Sequence, residues 1–155
     1  HQSLKYNFST KNVPLIAGMA KALEISMSRY QIDSIKMQQM RDYLIDSILQ
    51  KIPGVYITGH KSSRLPNNAS FVFDNIDGNE LLINLDLSKI AASSGSACKT
   101  GNPEPSTVLK AIGLSNELSL GSLRLSIGRH TEQHDIESVI HILPKIITKM
   151  REDTQ

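Results

Sequence analysis

One side chain in this sequence stands out as a nucleophile: Cys98, the single cysteine among 155 residues. It sits in Ala92-Ser93-Ser94-Gly95-Ser96-Ala97-Cys98-Lys99-Thr100-Gly101, a run of small residues loosened by two glycines. A structural cysteine is usually wedged among apolar side chains. This one reads as a thiol on a loop, able to carry a nucleophile to a substrate and away again. A lone cysteine forms no internal disulfide and makes a poor metal site. On composition alone, a reactive thiol and an idle one stand level. Arg124 is the second candidate. It lies in an alternating run, Leu123 to Ile127, where a guanidinium can grip a carboxylate through two parallel hydrogen bonds. A surface arginine, or a partner for a local acid, is the alternative. His130 and His134 have the spacing of a helical zinc pair, but no third ligand is apparent and solvated histidines fit better, so no metal site is expected. Asp74 and Asp77 flank a turn and suit turn chemistry.

The elements that must hold these residues are legible from the pattern. Asn12 and Pro14 mark a helix start, and Leu15, Met19, Ala22, Leu23 and Met27 follow at helical spacing. A second helical pattern runs through Ile35, Met40, Leu44, Ile48 and Leu49 until Pro53-Gly54 stops it. The methionines read as core filler. Val55–Thr58 and Ser70–Phe73 read as strands, separated by a polar loop from His60 to Asn68. Leu81, Leu82 and Leu85 suggest a short helix, and Ile90-Ala91-Ala92 a third strand feeding the Cys98 loop. Pro105 to Ile112 predicts a helix with Gly113 just past its end. Leu123 to Ile127 predicts a fourth strand. Thr131 is placed to cap a last helix, with Glu132 and Asp135 near its positive end. Ile136, Val139, Ile140, Leu143 and Ile147 form its apolar stripe, and Pro144 should kink it. Strands and helices mix without regular βαβ alternation. The expected class is α+β, a small, mostly antiparallel sheet covered by helices.

Composition narrows the function. Seventeen basic and fifteen acidic residues leave a net charge of +2, too balanced to argue for nucleic acid or membrane as partner. Tryptophan is absent and aromatics are 5%, which disfavours a base-stacking platform. No apolar run is long enough to span a bilayer, and His1-Gln2-Ser3-Leu4-Lys5 does not read as a signal peptide. One unpaired cysteine fits a reducing compartment, so a cytoplasmic location is expected. The chain opens without methionine and reads as a piece of something longer.

The residues after Cys98 add a resemblance. Ser93-Ser94-Gly95-Ser96-Ala97-Cys98 is followed by Glu104-Pro105-Ser106, Val108-Leu109, Gly113-Leu114 and Gly121-Ser122-Leu123-Arg124-Leu125-Ser126-Ile127-Gly128-Arg129. This ordered series resembles the C-terminal part of the cysteine desulfurases of the NifS/IscS type, and the likeness runs from about Asn12 to about Ile147. The resemblance implies the small C-terminal domain of a fold-type I pyridoxal phosphate (PLP) enzyme, preceded by a long helix from the large domain. Residues 1–30 would then be the tail of the large domain and the connecting helix, and residues 31–155 the small domain with the cysteine loop.

In that family the cysteine matching Cys98 attacks the sulfur of an L-cysteine substrate held on PLP, leaving L-alanine and an enzyme persulfide. The attack asks for a thiolate, which Lys99 next door would favour only weakly. The resemblance assigns Arg124 to the substrate carboxylate; Arg129, after Gly128 at a strand end, is read as structural. Ser9-Thr10-Lys11-Asn12-Val13-Pro14 resembles the family's Gly-Thr-x-Asn-Val-Pro, whose threonine hydroxyl meets the PLP phosphate. Here Asn7-Phe8-Ser9 stands where the family usually has Arg-Ser-Gly, and an ordinary loop threonine is the alternative for Thr10. Gly59-His60-Lys61 mimics the family's Schiff-base string, but Arg64-Leu65-Pro66-Asn67-Asn68-Ala69-Ser70-Phe71 matches a later segment. Lys61 is therefore read as a solvated loop lysine, and the PLP lysine is expected upstream of His1. The implied partners are L-cysteine, a sulfur-acceptor or scaffold protein, and a second subunit in a homodimer. The competing reading is a non-catalytic persulfide carrier that pairs with a separate PLP-binding half.

Overall fold

The computed structural model describes residues 11–95 and 105–153. Eight elements follow in chain order: α1 (Val13–Lys51), β1 (Val55–Ile57), β2 (Asn68–Phe73), α2 (Gly78–Leu87), α3 (Thr107–Ala111), α4 (Asn116–Leu120), β3 (Ser122–Ser126) and α5 (Gln133–Asp153). The chain divides into two units, His1–Asp33 and Ser34–Gln155, with the boundary inside α1.

The described part of the first unit is the opening of α1. Asn12 Oδ1 accepts the Leu15 amide at 3.2 Å, capping orphan N–H groups beside Pro14 as expected. Leu15, Met19, Leu23 and Met27 lie on exposed turns of this helix. The sequence suggested two helical patterns, whereas the backbone is one helix. No glycine or proline lies between Met27 and Ile35 to break the ladder, and Arg29 pairs with Asp33 at 3.2 Å one turn on.

In the second unit the rest of α1 buries Met40, Leu44, Ile45 and Ile48. The helix stops at Pro53-Gly54, where Gly54 takes φ +65°. The sheet has the order β1-β2-β3 and is antiparallel throughout, so the fold is α+β as the pattern implied. Val55 faces Phe73, Ile57 faces Phe71, and Phe71 in turn faces Leu123. Alternate residues point to opposite faces of a strand. Ala69, Phe71, Phe73, Leu123 and Leu125 therefore share one face, and all are buried in the main core. α5 closes that core with Ile136, Val139, Ile140, Leu143, Ile147 and Met150. Each large side chain fully buried here contributes about 1.5–3 kcal/mol.

Several local expectations hold in detail. Asp77 caps α2, accepting the Asn79 and Glu80 amides at 2.7 and 3.1 Å, which is the turn chemistry expected of it. Gly113 follows the end of α3 at φ +91° as expected, and the structure adds Ser106 as the cap at its start. Two expectations need correction, and one element was missed. Residues 90–92 form no strand. Lys89 turns left-handed at φ +63°, and the Ile90 amide closes the end of α2 on Leu85 O at 2.9 Å, so it is unavailable for a ladder. Thr131 does not cap α5; its hydroxyl accepts the Gly128 amide, and Asp135 reaches back to the Glu132 amide instead. Finally, α4 was not anticipated. It is one short turn capped by Ser115 and too brief to show a period. Among the described residues no helix is long and apolar enough to cross a membrane.

Candidate functional site

The face of the sheet opposite the core carries Ser70, Ser122 and Arg124 together with the buried Val72. Ser70 on β2 pairs with Arg124 on β3, and Thr58, just past β1, donates its hydroxyl to Ser70 at 2.7 Å. These residues form one wall of a cavity of about 560 Å³. The His60–Asn68 loop supplies a second wall, and the chain around Gly95 and Ser106 the third.

Arg124 was singled out from the sequence, and the strand register explains its position. Its neighbours Leu123 and Leu125 are buried, so period two turns Arg124 outward, and its side chain is exposed on the cavity side. Its main chain is fixed on both sides. One edge pairs with Ser70 in β2. On the other, the Arg124 amide donates to Ser93 O at 2.6 Å and the Ser93 amide donates to Arg124 O at 3.0 Å. An isolated bridge thus joins β3 to the segment that runs towards Cys98.

Two further arginines were not recognised as part of this arrangement. Arg64 lines the cavity and holds its own loop: Nε donates to His60 O at 2.9 Å, Nη1 to Asn68 O at 3.4 Å, and Nη2 to Thr58 O. Burial pushes its pKa below the ordinary arginine value, and the positive charge of Arg41 adds to the effect, against a smaller opposing pull from Asp42. A guanidinium nevertheless stays charged in proteins, so Arg64 adds positive potential while its donors are taken by carbonyls. Arg41, on α1, is only 3% exposed. It pairs with Asp42 at 2.6 Å and donates to Leu65 O at 2.8 Å, pinning the same loop from behind. The signal was present in Arg64-Leu65-Pro66-Asn67-Asn68, where an arginine sits within a polar loop, but loop arginines are ordinarily solvated.

The cavity walls bring together guanidinium, hydroxyl and imidazole groups, and no Asp, Glu or Lys is among the described lining residues. An anionic ligand is favoured there. A second hollow of similar size, about 550 Å³, is lined by Asp74, Asp77, Glu80 and Glu117 and repels a carboxylate. Lys61 faces a third hollow, with Arg41, Asp42 and Asp46, and not the cavity of Arg124. His130 Nε2 accepts from Arg129 at 2.8 Å, while His134 lies beside Glu132 and Asp135. Among the described residues no group of three or more His, Cys, Asp or Glu could hold a metal ion.

The donor set of the cavity suits the carboxylate arm of a small substrate. It does not suit the ring of PLP, since no amine for a Schiff base and no acid for a pyridine nitrogen is among the described lining residues. The two other candidates, Cys98 and Thr10, lie outside the described residues. The structure does describe both flanks of the cysteine segment. A side-chain carbon added at Gly95 would sit 3.1 Å from Ser106 Cβ, so the chain leaves and re-enters the cavity wall at one place.

The family described as Aminotransferase class-V matches residues 1–139. The chain is 40% identical over 150 residues to a protein named cysteine desulfurase IscS from Methanosarcina thermophila, covering 97% of this chain and 37% of that protein. It is 44% identical over 146 residues to a cysteine desulfurase IscS from Clostridium botulinum, covering 93% and 37%. Among solved structures it is similar to the NifS-like protein from Rickettsia africae, with a TM-score of 0.78 at 30% identity over 90% of this chain and 36% of that one. A cysteine desulfurase from Escherichia coli, CsdA, shares the fold with a TM-score of 0.66 at 16% identity, over 93% and 33%. The chain spans 37% of the length of the first two relatives.

Proposed function

The chain belongs to the aminotransferase class-V family, and we propose that it is the C-terminal portion of a PLP-dependent cysteine desulfurase. One observation carries the reading. A solvent-facing arginine, Arg124, stands in a cavity favouring anions, and its own backbone is hydrogen-bonded to the segment that leads to the only cysteine. The names of the relatives support the same activity.

In this reading Arg124 binds the carboxylate of L-cysteine through two parallel N–H···O bonds. The Cys98 thiolate forms a bond to the substrate sulfur. The substrate carbon–sulfur bond breaks, its electron pair stays on the carbon, and a proton taken up there completes the methyl group of L-alanine. Cys98 is left as a persulfide. Bound PLP would supply the electron sink that makes the carbon–sulfur bond breakable. Its lysine lies in sequence beyond this chain, and Thr10 is the residue here that would meet its phosphate. The persulfide sulfur then passes to an acceptor or scaffold protein serving iron–sulfur cluster or thio-cofactor assembly, in a cytoplasmic homodimer.

Mixing the chain with the N-terminal half of a related desulfurase, PLP and cysteine tests this. Alanine should appear only with both halves present, and Cys98→Ala should abolish it. A mixed complex that binds PLP but yields no alanine would rule out catalysis and leave the persulfide-carrier reading. Alanine from the isolated chain plus PLP would sink the division of labour.

A further inference from the structure

Ser122 stands two residues before Arg124, and its register carries information of its own. The bridge between Ser93 and Arg124 exchanges both main-chain hydrogen bonds. In an antiparallel ladder the next such pair lies two residues along each strand, which here is Gly95 opposite Ser122. A regular rung would run from the Gly95 amide to the Ser122 carbonyl. Instead the Gly95 amide donates to the Ser122 hydroxyl, Oγ, at 2.8 Å. The ladder ends on a side chain, in a place only 3% exposed, where water competes poorly for the amide. Sterics agree. A side-chain carbon at Gly95 would lie 2.8 Å from Ser122 Oγ and 3.1 Å from both Leu109 Cδ1 and Ser106 Cβ, so only glycine brings the backbone this close.

We propose that the Ser122 hydroxyl is a positioning residue: it locks the backbone at Gly95 to the strand that carries Arg124, and so fixes the point from which the chain departs towards the sulfur-accepting thiol. The proposal rests on the desulfurase reading for its consequence, and on the Gly95–Ser122 contact alone for its geometry. A hydroxyl rung differs from a carbonyl rung in one useful respect. It rotates about one bond without disturbing β3, so the Gly95 limb is held while the strand stays whole.

The test uses the chain assembled with the N-terminal half and PLP, in wild-type, Ser122→Ala and Ser119→Ala forms. Ser119 is an equally buried hydroxyl whose bond, to Ser115 O at 2.7 Å, stays within the α4 turn. Amide exchange in peptides covering residues 90–95 is the first readout, and kcat and KM for cysteine are the second. In Ser122→Ala, exchange at Gly95 should accelerate about fivefold to tenfold, as for loss of one buried hydrogen bond. kcat should fall severalfold while KM stays within about twofold, because carboxylate binding does not need the thiol in place. Gly95→Ala should give the same split by wedging the limb away. Ser119→Ala should leave both readouts alone. Unchanged exchange in Ser122→Ala overturns the proposal. So does faster exchange with unchanged kcat, and so does a variant that loses its fold, since Ser122 would then be structural only. Failure of the wild-type assembly to make alanine counts against the desulfurase reading instead, and the exchange comparison then decides the Ser122 contact by itself.

Discussion

The two faces of the sheet use the same strands to opposite ends. On one face Phe71, Phe73, Leu123 and Leu125 meet α1 and α5 residues in a closed core. On the other, one residue along, Ser70, Arg124 and Ser122 line an open cavity. Nothing but the two-residue period separates them. Stability and chemistry are therefore interleaved at single-residue spacing, and neighbouring substitutions should have unlike consequences.

The largest effect on stability is expected from the core face. Phe71→Ala should cost about 3–5 kcal/mol, seen as a lower denaturant midpoint of the isolated chain. A loss below about 1 kcal/mol would mean that the sheet is not the centre of the core. A smaller effect is expected at the edge of the polar face. Thr58→Val removes the 2.7 Å bond to Ser70 and should cost about 1 kcal/mol, with cysteine binding little changed. The smallest effect on stability, within about 0.5 kcal/mol, is expected for Arg124→Gln, whose side chain is exposed. That variant sharpens the contrast most. In the assembled enzyme the KM for cysteine should rise about tenfold to a hundredfold, the range for losing hydrogen bonds to a charged group. An unchanged KM would move the carboxylate site away from this face.

Much of this was legible in the sequence, and the exceptions have physical causes. Alternation in Leu123–Ile127 was enough to set Arg124 apart from its buried neighbours, because a one-residue slip would bury the charge. Gly113 announced the end of α3 through its place just past the helix. The unity of α1 was hidden because its apolar stripe is covered in one part and bare in another. Periodicity reports a face, not what lies against it. The roles of Arg64 and Ser122 were hidden for a different reason. Each acts on backbone groups brought near by tertiary structure, Thr58 O and the Gly95 amide, and no local spacing encodes such a pairing. Thr131 misled because its hydroxyl accepts the Gly128 amide behind it.

The place of α5 in the chain has a consequence for how the protein is made. The core residues of α1 reach only to Ile48, whereas those of α5 run to Met150. A ribosome adds about 5–20 residues per second, so roughly 5–20 s separate the emergence of these two partners. Through that interval the core lacks the apolar residues that α5 contributes to it. Nascent chains of this protein are expected to depend on holding chaperones late in translation, and a stop codon shortly before α5 should give an insoluble product, however well the cavity residues are preserved.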